Sequence, residues 1–128
     1  MLSKKRVLIL FATILVCVAG LALAKAVKVE LMPYPPAAPL DPNASGHAIL
    51  NYAKGQDKTI VQVNCWGLKP ETGYTVYLSN GGFYSIGDFT TRKNGSGNLH
   101  VSLEGDVSED LPVAVNDTAL NATVLLGQ

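Results

Sequence analysis

The sequence predicts an all-β domain, an antiparallel Greek-key β-sandwich or flattened barrel of seven to eight short strands. Three observations predict it. Apolar residues recur with period two through the body of the chain, and no stretch of the body keeps helical spacing. Clusters of Gly, Asn, Asp and Ser separate the alternating runs at short intervals. About a hundred residues follow the N-terminal apolar segment, enough for one domain with a real core and too few for two.

The chain opens with a positive cluster, Lys4, Lys5 and Arg6, ahead of an apolar stretch from Val7 to Ala24. Ala22-Leu23-Ala24 before Lys25 has the small-x-small form of a cleavage site, so residues 1–24 are expected to be a secretory signal peptide. The rival is an uncleaved anchor helix over residues 7–24, which sits at the lower length limit for crossing a bilayer. Val16 precedes Cys17, where a lipoprotein signal carries a small residue. Secretion, or export to a periplasm, is therefore the expected location, with a membrane-anchored protein as the alternative.

Residues 25–44 are expected to be a proline-rich linker. Met32–Asn43 holds five of the seven prolines, and proline fixes φ and lacks a ladder donor. Such a segment forms an extended tether or a ligand for aromatic grooves. The folded domain is expected over residues 45–127.

The first strand, Gly46–Ala53, places Ala48, Leu50 and Tyr52 on one face, and the turn Gly55-Gln56-Asp57 leads to the second, Lys58–Trp66. There Val61, Val63 and Cys65 alternate with Gln62 and Asn64. Tyr74–Ser79 turns Tyr74, Val76 and Leu78 inward and Thr75 and Tyr77 outward. Asn80-Gly81-Gly82 then tolerates the positive φ of a tight reversal. A strand from Phe83 to Arg92, the hairpin signal Asn94-Gly95-Ser96-Gly97, and a return over Asn98–Glu104 follow. In that return Leu99, Val101 and Leu103 face inward and His100, Ser102 and Glu104 outward. Leu111–Val115 and Leu120–Leu126 complete the set.

The whole chain carries ten basic and ten acidic side chains. Without residues 1–24 it has seven against ten, a net charge of −3. A mildly acidic domain with no basic cluster excludes nucleic acid as the expected partner. One cysteine, Cys65, remains beyond the leader, so no internal disulfide can form. Its alternation places it inside as an inert thiol, with pairing to another chain as the alternative.

Gly67-Leu68-Lys69-Pro70-Glu71-Thr72-Gly73-Tyr74-Thr75-Val76-Tyr77 resembles the proline–tyrosine corner of fibronectin type III domains. There the corner precedes the penultimate strand, whereas here about fifty residues follow it. A second resemblance covers about eighty residues in order. The opening hairpin, Gly67-Leu68, Gly73-Tyr74-Thr75-Val76-Tyr77, Ser85-Ile86-Gly87-Asp88-Phe89 and Lys93-Asn94-Gly95 are similar to the Cu/Zn superoxide dismutase-like sandwich shared by CHRD domains. That resemblance implies the fold but not the chemistry. Thr75 and Tyr77 stand where two copper-binding histidines would be, Ser85 replaces a zinc-binding histidine, and of the zinc site Asp88 survives. No histidine follows His100 to supply the last copper ligand.

No catalytic constellation emerges from the residues, and no cofactor is expected. His47 and His100 are the two histidines, each expected on a solvent face without metal-ligand spacing. Glu104, Asp106, Glu109 and Asp110 form an acidic cluster that matches a solvated turn better than a cation loop. Trp66, Tyr77 and Tyr84 are the speculative ligand-binding residues, as aromatic platforms for a sugar or a protein, unless the chain's own loops cover them. Asn43, Asn94, Asn116 and Asn121 each begin a glycosylation sequon.

The leading expectation is a non-catalytic exported module that binds an unknown protein or glycan or lends structure at a cell surface. The alternatives are a degenerate dismutase-like metal-binding protein using Asp88, His47 or His100, and a carbohydrate-binding module using the aromatics.

Overall fold

The computed structural model describes residues 24–128. The expected signal peptide or anchor helix over residues 1–24 lies outside the described residues, save for Ala24 at the start of the first strand. Eight strands follow: β1 (Ala24–Pro33), β2 (Ser45–Ala53), β3 (Lys58–Trp66), β4 (Gly73–Ser79), β5 (Phe83–Thr90), β6 (Gly97–Glu104), β7 (Val113–Asp117) and β8 (Ala122–Gly127). All pairings are antiparallel, in the order β5-β4-β7-β8-β1-β2-β3-β6. The all-β prediction holds, as a nearly closed, barrel-like sheet.

Two four-stranded layers make up this sheet. Long ladders join β1, β2, β3 and β6 on one side and β5, β4, β7 and β8 on the other. The layers meet where the last residues of β1, Met32 and Pro33, pair with Leu126 and Leu125 of β8. At the opposite seam, side chains close the gap between β5 and β6. The Phe89 ring of β5 packs so close to Gly97 of β6 that a Cβ there would lie 2.5 Å from it.

The core fills the space between the layers. Val29, Leu31, Leu50, Val61, Val63, Tyr74, Val76, Leu78, Val113, Val115 and Leu125 are buried within it. Each such aliphatic side chain contributes about 1.5–3 kcal/mol by leaving water. Tyr74 adds a polar anchor, since its hydroxyl accepts the Lys69 N–H at 3.1 Å while its ring stacks on Phe89, 5.7 Å between centroids. The corner that resembled fibronectin type III is thus a local device for entering β4. Gly67 is required just upstream. Its φ is +67°, and a Cβ would fall 2.1 Å from the Asn43 carbonyl oxygen.

One expectation is corrected here. Residues 25–44 are not a linker, because Ala24–Pro33 forms β1, which lies between β8 and β2 and bridges the layers. Val29 and Leu31 are buried on it, while Lys28 and Glu30 face outward. Period two therefore begins well before Ser45, and β1 belongs to the folded domain through its pairing with β2. The remaining prolines lie in the β1–β2 connection, which is compact rather than extended. Turns close it, with Ala38 N–H donating to Pro35 O, Leu40 N–H to Tyr34 O and Ala44 N–H to Asp41 O.

Candidate functional site

Strand alternation gives each layer an outward face, and the two faces differ in chemistry. On β1-β2-β3-β6 the outward residues include Lys28, Glu30, His47, Lys58, Gln62, Asn64, Trp66, His100, Ser102 and Glu104. Lys28 lies 3.8 Å from Glu30, and Lys58 lies 3.8 Å from Glu104. Both histidines are on this face, as expected. His47 contacts the Asn64 amide at 3.3 Å and packs on Trp66 with ring centroids 5.4 Å apart. Trp66 remains 47% exposed.

The outward face of β5-β4-β7-β8 has an uncharged centre. Pairing aligns Tyr77 of β4 with Ala114 of β7, Ala114 with Leu126 of β8, and Leu126 with Met32 of β1. Beside this apolar row lies a second of hydroxyls and an amide, in which Thr75 pairs with Asn116 and Asn116 with Thr123. Phe83, at the start of β5, stands 57% exposed. Tyr77, Phe83, Ala114, Asn116, Asn121 and Thr123 together line an open depression of about 160 Å³. The small Ala114 side chain opposite Tyr77 makes the room. Asn121, with φ of +49°, sits in the β7–β8 turn and brings its amide to the rim. The Thr123 hydroxyl donates to Asn116 Oδ1 at 2.8 Å, which commits that oxygen and leaves the amide N–H₂ as donor.

The four positions where the dismutase resemblance would place metal ligands come together on this same face. Thr75 pairs with Asp88, and Tyr77 with Ser85. Their donor set does not fit copper or zinc. The Thr75 hydroxyl is shared with Thr118 Oγ1 at 2.8 Å, and the set has one carboxylate and no imidazole. His47 and His100 belong to the opposite layer. Among the described residues, no three His, Cys, Asp or Glu side chains gather to hold a metal ion.

The three aromatics proposed from sequence do not converge. Trp66 and Tyr77 occupy opposite sides of the molecule, and Tyr84 is turned inward against the core. The Tyr84 hydroxyl donates to Asp110 Oδ2 at 2.6 Å, and burial together with this bond holds its pKa well above the usual phenol value. Tyr84 is therefore a packing residue and no platform. The cause is a β-bulge where β4 meets β5, between Val76 and Tyr77. It reverses the parity of β5, so that Tyr84 and Ile86 face in before the bulge and Phe89 faces in after it. The same reversal turns Phe83 outward.

The acidic cluster is dispersed by its partners. Glu109 accepts from Lys25 at 2.6 Å, Asp110 from Tyr84, and Asp106 Oδ1 from both the backbone and the hydroxyl of Ser108. The Ser108 hydroxyl and then its N–H hold the Asp106 carboxyl below its usual pKa. Cys65 is buried as expected, and desolvation pushes its thiol up to about 12. At the end of the barrel Asp117 is buried, accepts the Ala119 and Leu120 N–H groups and lies 3.4 Å from Lys69 Nζ. Asp41 nearby has its Oδ2 sealed from water without a hydrogen-bond partner, and burial raises its pKa.

No known protein-family model matches the chain, and no curated protein matches it in sequence.

Proposed function

We propose that this chain is an exported, non-catalytic binding module, a Greek-key β-sandwich of the dismutase-like or CHRD-like kind that has given up metal chemistry. The observation that carries the proposal is the outward face of β5-β4-β7-β8. There the positions that would bind metal hold Thr75, Tyr77, Ser85 and Asp88, and an uncharged aromatic and amide depression adjoins them. These groups can stack and hydrogen-bond, but they cannot hold copper through two oxidation states. The connectivity supports the Greek-key reading, since β4, β5 and β6 follow one another and β7 returns beside β4. A fold can outlive its chemistry because apolar burial stabilises it without metal.

The support for export is the leader-like sequence, in which Lys4, Lys5 and Arg6 precede the apolar stretch Val7–Ala24 and the small-x-small Ala22-Leu23-Ala24. Cleavage after Ala24 would start the mature chain at Lys25, which pairs with Tyr52 of β2. Intact-mass measurement of the exported protein should find Lys25 first. A full-length product needing detergent would favour the anchored alternative.

The test of the non-catalytic reading is elemental analysis after the protein is supplied with Cu²⁺ and Zn²⁺ and dialysed, with a superoxide-consumption assay alongside. Neither bound metal nor activity is expected. One tightly held metal per chain, lost in Asp88→Ala, would promote the degenerate metal-binding alternative.

A further inference from the structure

Resting on that reading of a binding module, we infer that the depression lined by Tyr77, Phe83, Ala114, Asn116, Asn121 and Thr123 is a subsite for one neutral pyranose ring of a saccharide. Three features of the depression select this ligand class. Its walls are amphipathic in the way a sugar ring is. Tyr77 and Phe83 offer aromatic surface to the C–H face of a pyranose, while Asn116, Asn121 and Thr123 offer amides and a hydroxyl to its edge. Its polar groups are also pre-set. The Thr123 hydroxyl has spent its proton on Asn116 Oδ1, so Thr123 presents an acceptor and the Asn116 amide presents donors, the mixture a row of sugar hydroxyls needs.

Charge and size complete the selection. The six lining residues are all of uncharged type, and the acidic residue on the β4–β5 part of this face is Asp88. An acidic sugar would meet no cation there and one anion nearby. At about 160 Å³ the depression is small and open, which suits one ring with its chain continuing into solvent. The apolar row through Leu126 to Met32 extends from Tyr77 across β8 to β1, and provides a surface along which further rings of an oligosaccharide could lie.

The test is an array of neutral hexose oligosaccharides with uronic-acid oligosaccharides as comparison, probed with protein from a host that adds no N-glycans. Hits are then titrated by calorimetry. Retention on neutral glycans is expected. Tyr77→Ala and Phe83→Ala should each weaken binding about tenfold or more, because each removes a stacking wall. Asn116→Asp, which puts a charge in the depression, should abolish it. Trp66→Ala, on the opposite layer, should leave it unchanged. No retention on any neutral glycan, preference for the acidic set, or loss in Trp66→Ala with Tyr77→Ala unaffected would each overturn the inference. So would a wild-type dimer that Phe83→Ala converts to monomer, since the face would then bind a second copy. These outcomes are separate from the metal assay, so the subsite can fail while the non-catalytic reading stands.

Discussion

The two outward faces of the barrel share one core but not one chemistry. Over β1-β2-β3-β6 the outward positions mix charged and polar groups, Lys28, Glu30, His47, Gln62, Asn64 and His100, with the apolar Ile49, Ile60 and Trp66. Over β5-β4-β7-β8 the middle of the face carries Tyr77, Phe83, Ala114, Leu126, Asn116 and Thr123, with Asp88 off to one side. Inward positions cannot tell the faces apart, since each strand sends Val, Leu or an aromatic into the same interior. The difference shows that burial accounts for the fold, and that function has to be sought in outward residues that solvation alone does not require.

β1 belongs to both faces, with Lys28 and Glu30 outward on one and Met32 outward on the other. Removing it breaks the comparison most completely. A chain starting at Ser45 loses the strand between β2 and β8 together with buried Val29 and Leu31. It should show no cooperative urea transition, whereas a chain starting at Lys25 should unfold in one. A truncated chain that still unfolds cooperatively would return β1 to the status of a tether.

The shared interior is tested at Cys65. Its thiol should resist labelling in the native state and react once urea unfolds the chain. Cys65→Ser should cost on the order of 1–3 kcal/mol, because a hydroxyl is buried where sulfur packs among apolar groups. Rapid native labelling would place the thiol on an outward face and undo the parity assigned to β3.

A smaller effect is expected at Asp41, in the β1–β2 connection. Its carboxyl is raised in the folded state, chiefly by burial, against the opposing pull of Lys69. A carboxyl raised on folding binds its proton more tightly in the native than in the unfolded chain. Asp41 therefore opposes folding above its usual titration range, and the opposition fades as pH falls through the raised value and then the ordinary one. Asp41→Asn should raise the urea midpoint at pH 7, with the gain disappearing toward pH 3. A lower midpoint at pH 7 would show that the carboxylate has a partner in solution.

How far the sequence alone reaches varies by strand, for physical reasons. In β2, β3 and β6 the ladders are regular, so period two placed Leu50, Val63, Cys65 and His100 on the faces they occupy. In β1 the alternation of Val27, Val29 and Leu31 against Lys28 and Glu30 was equally clear, but the prolines just beyond it masked the signal. In β5 the alternation misleads. Counting back by twos from the inward Phe89 puts Phe83 inside and Tyr84 outside, the reverse of their places, because the bulge inserts one residue. The depression was therefore half visible. Tyr77 follows from its strand, Phe83 is hidden by the bulge, and Asn116 and Thr123 meet through a β7–β8 register that itself shifts between Val115 and Asn116.

The claim that the uncharged face is the working face is tested most directly by its backbone amide spectrum. Isotope-labelled protein, from Lys25 onward, would be titrated with a neutral oligosaccharide retained on the array while amide shifts are followed residue by residue. Shifts should gather at Tyr77, Phe83, Ala114, Asn116, Asn121 and Thr123, with His47, Gln62, Asn64 and His100 unmoved. Shifts centred on Trp66 and His47, with the β4-β7-β8 face silent, would contradict the account and assign binding to the charged face.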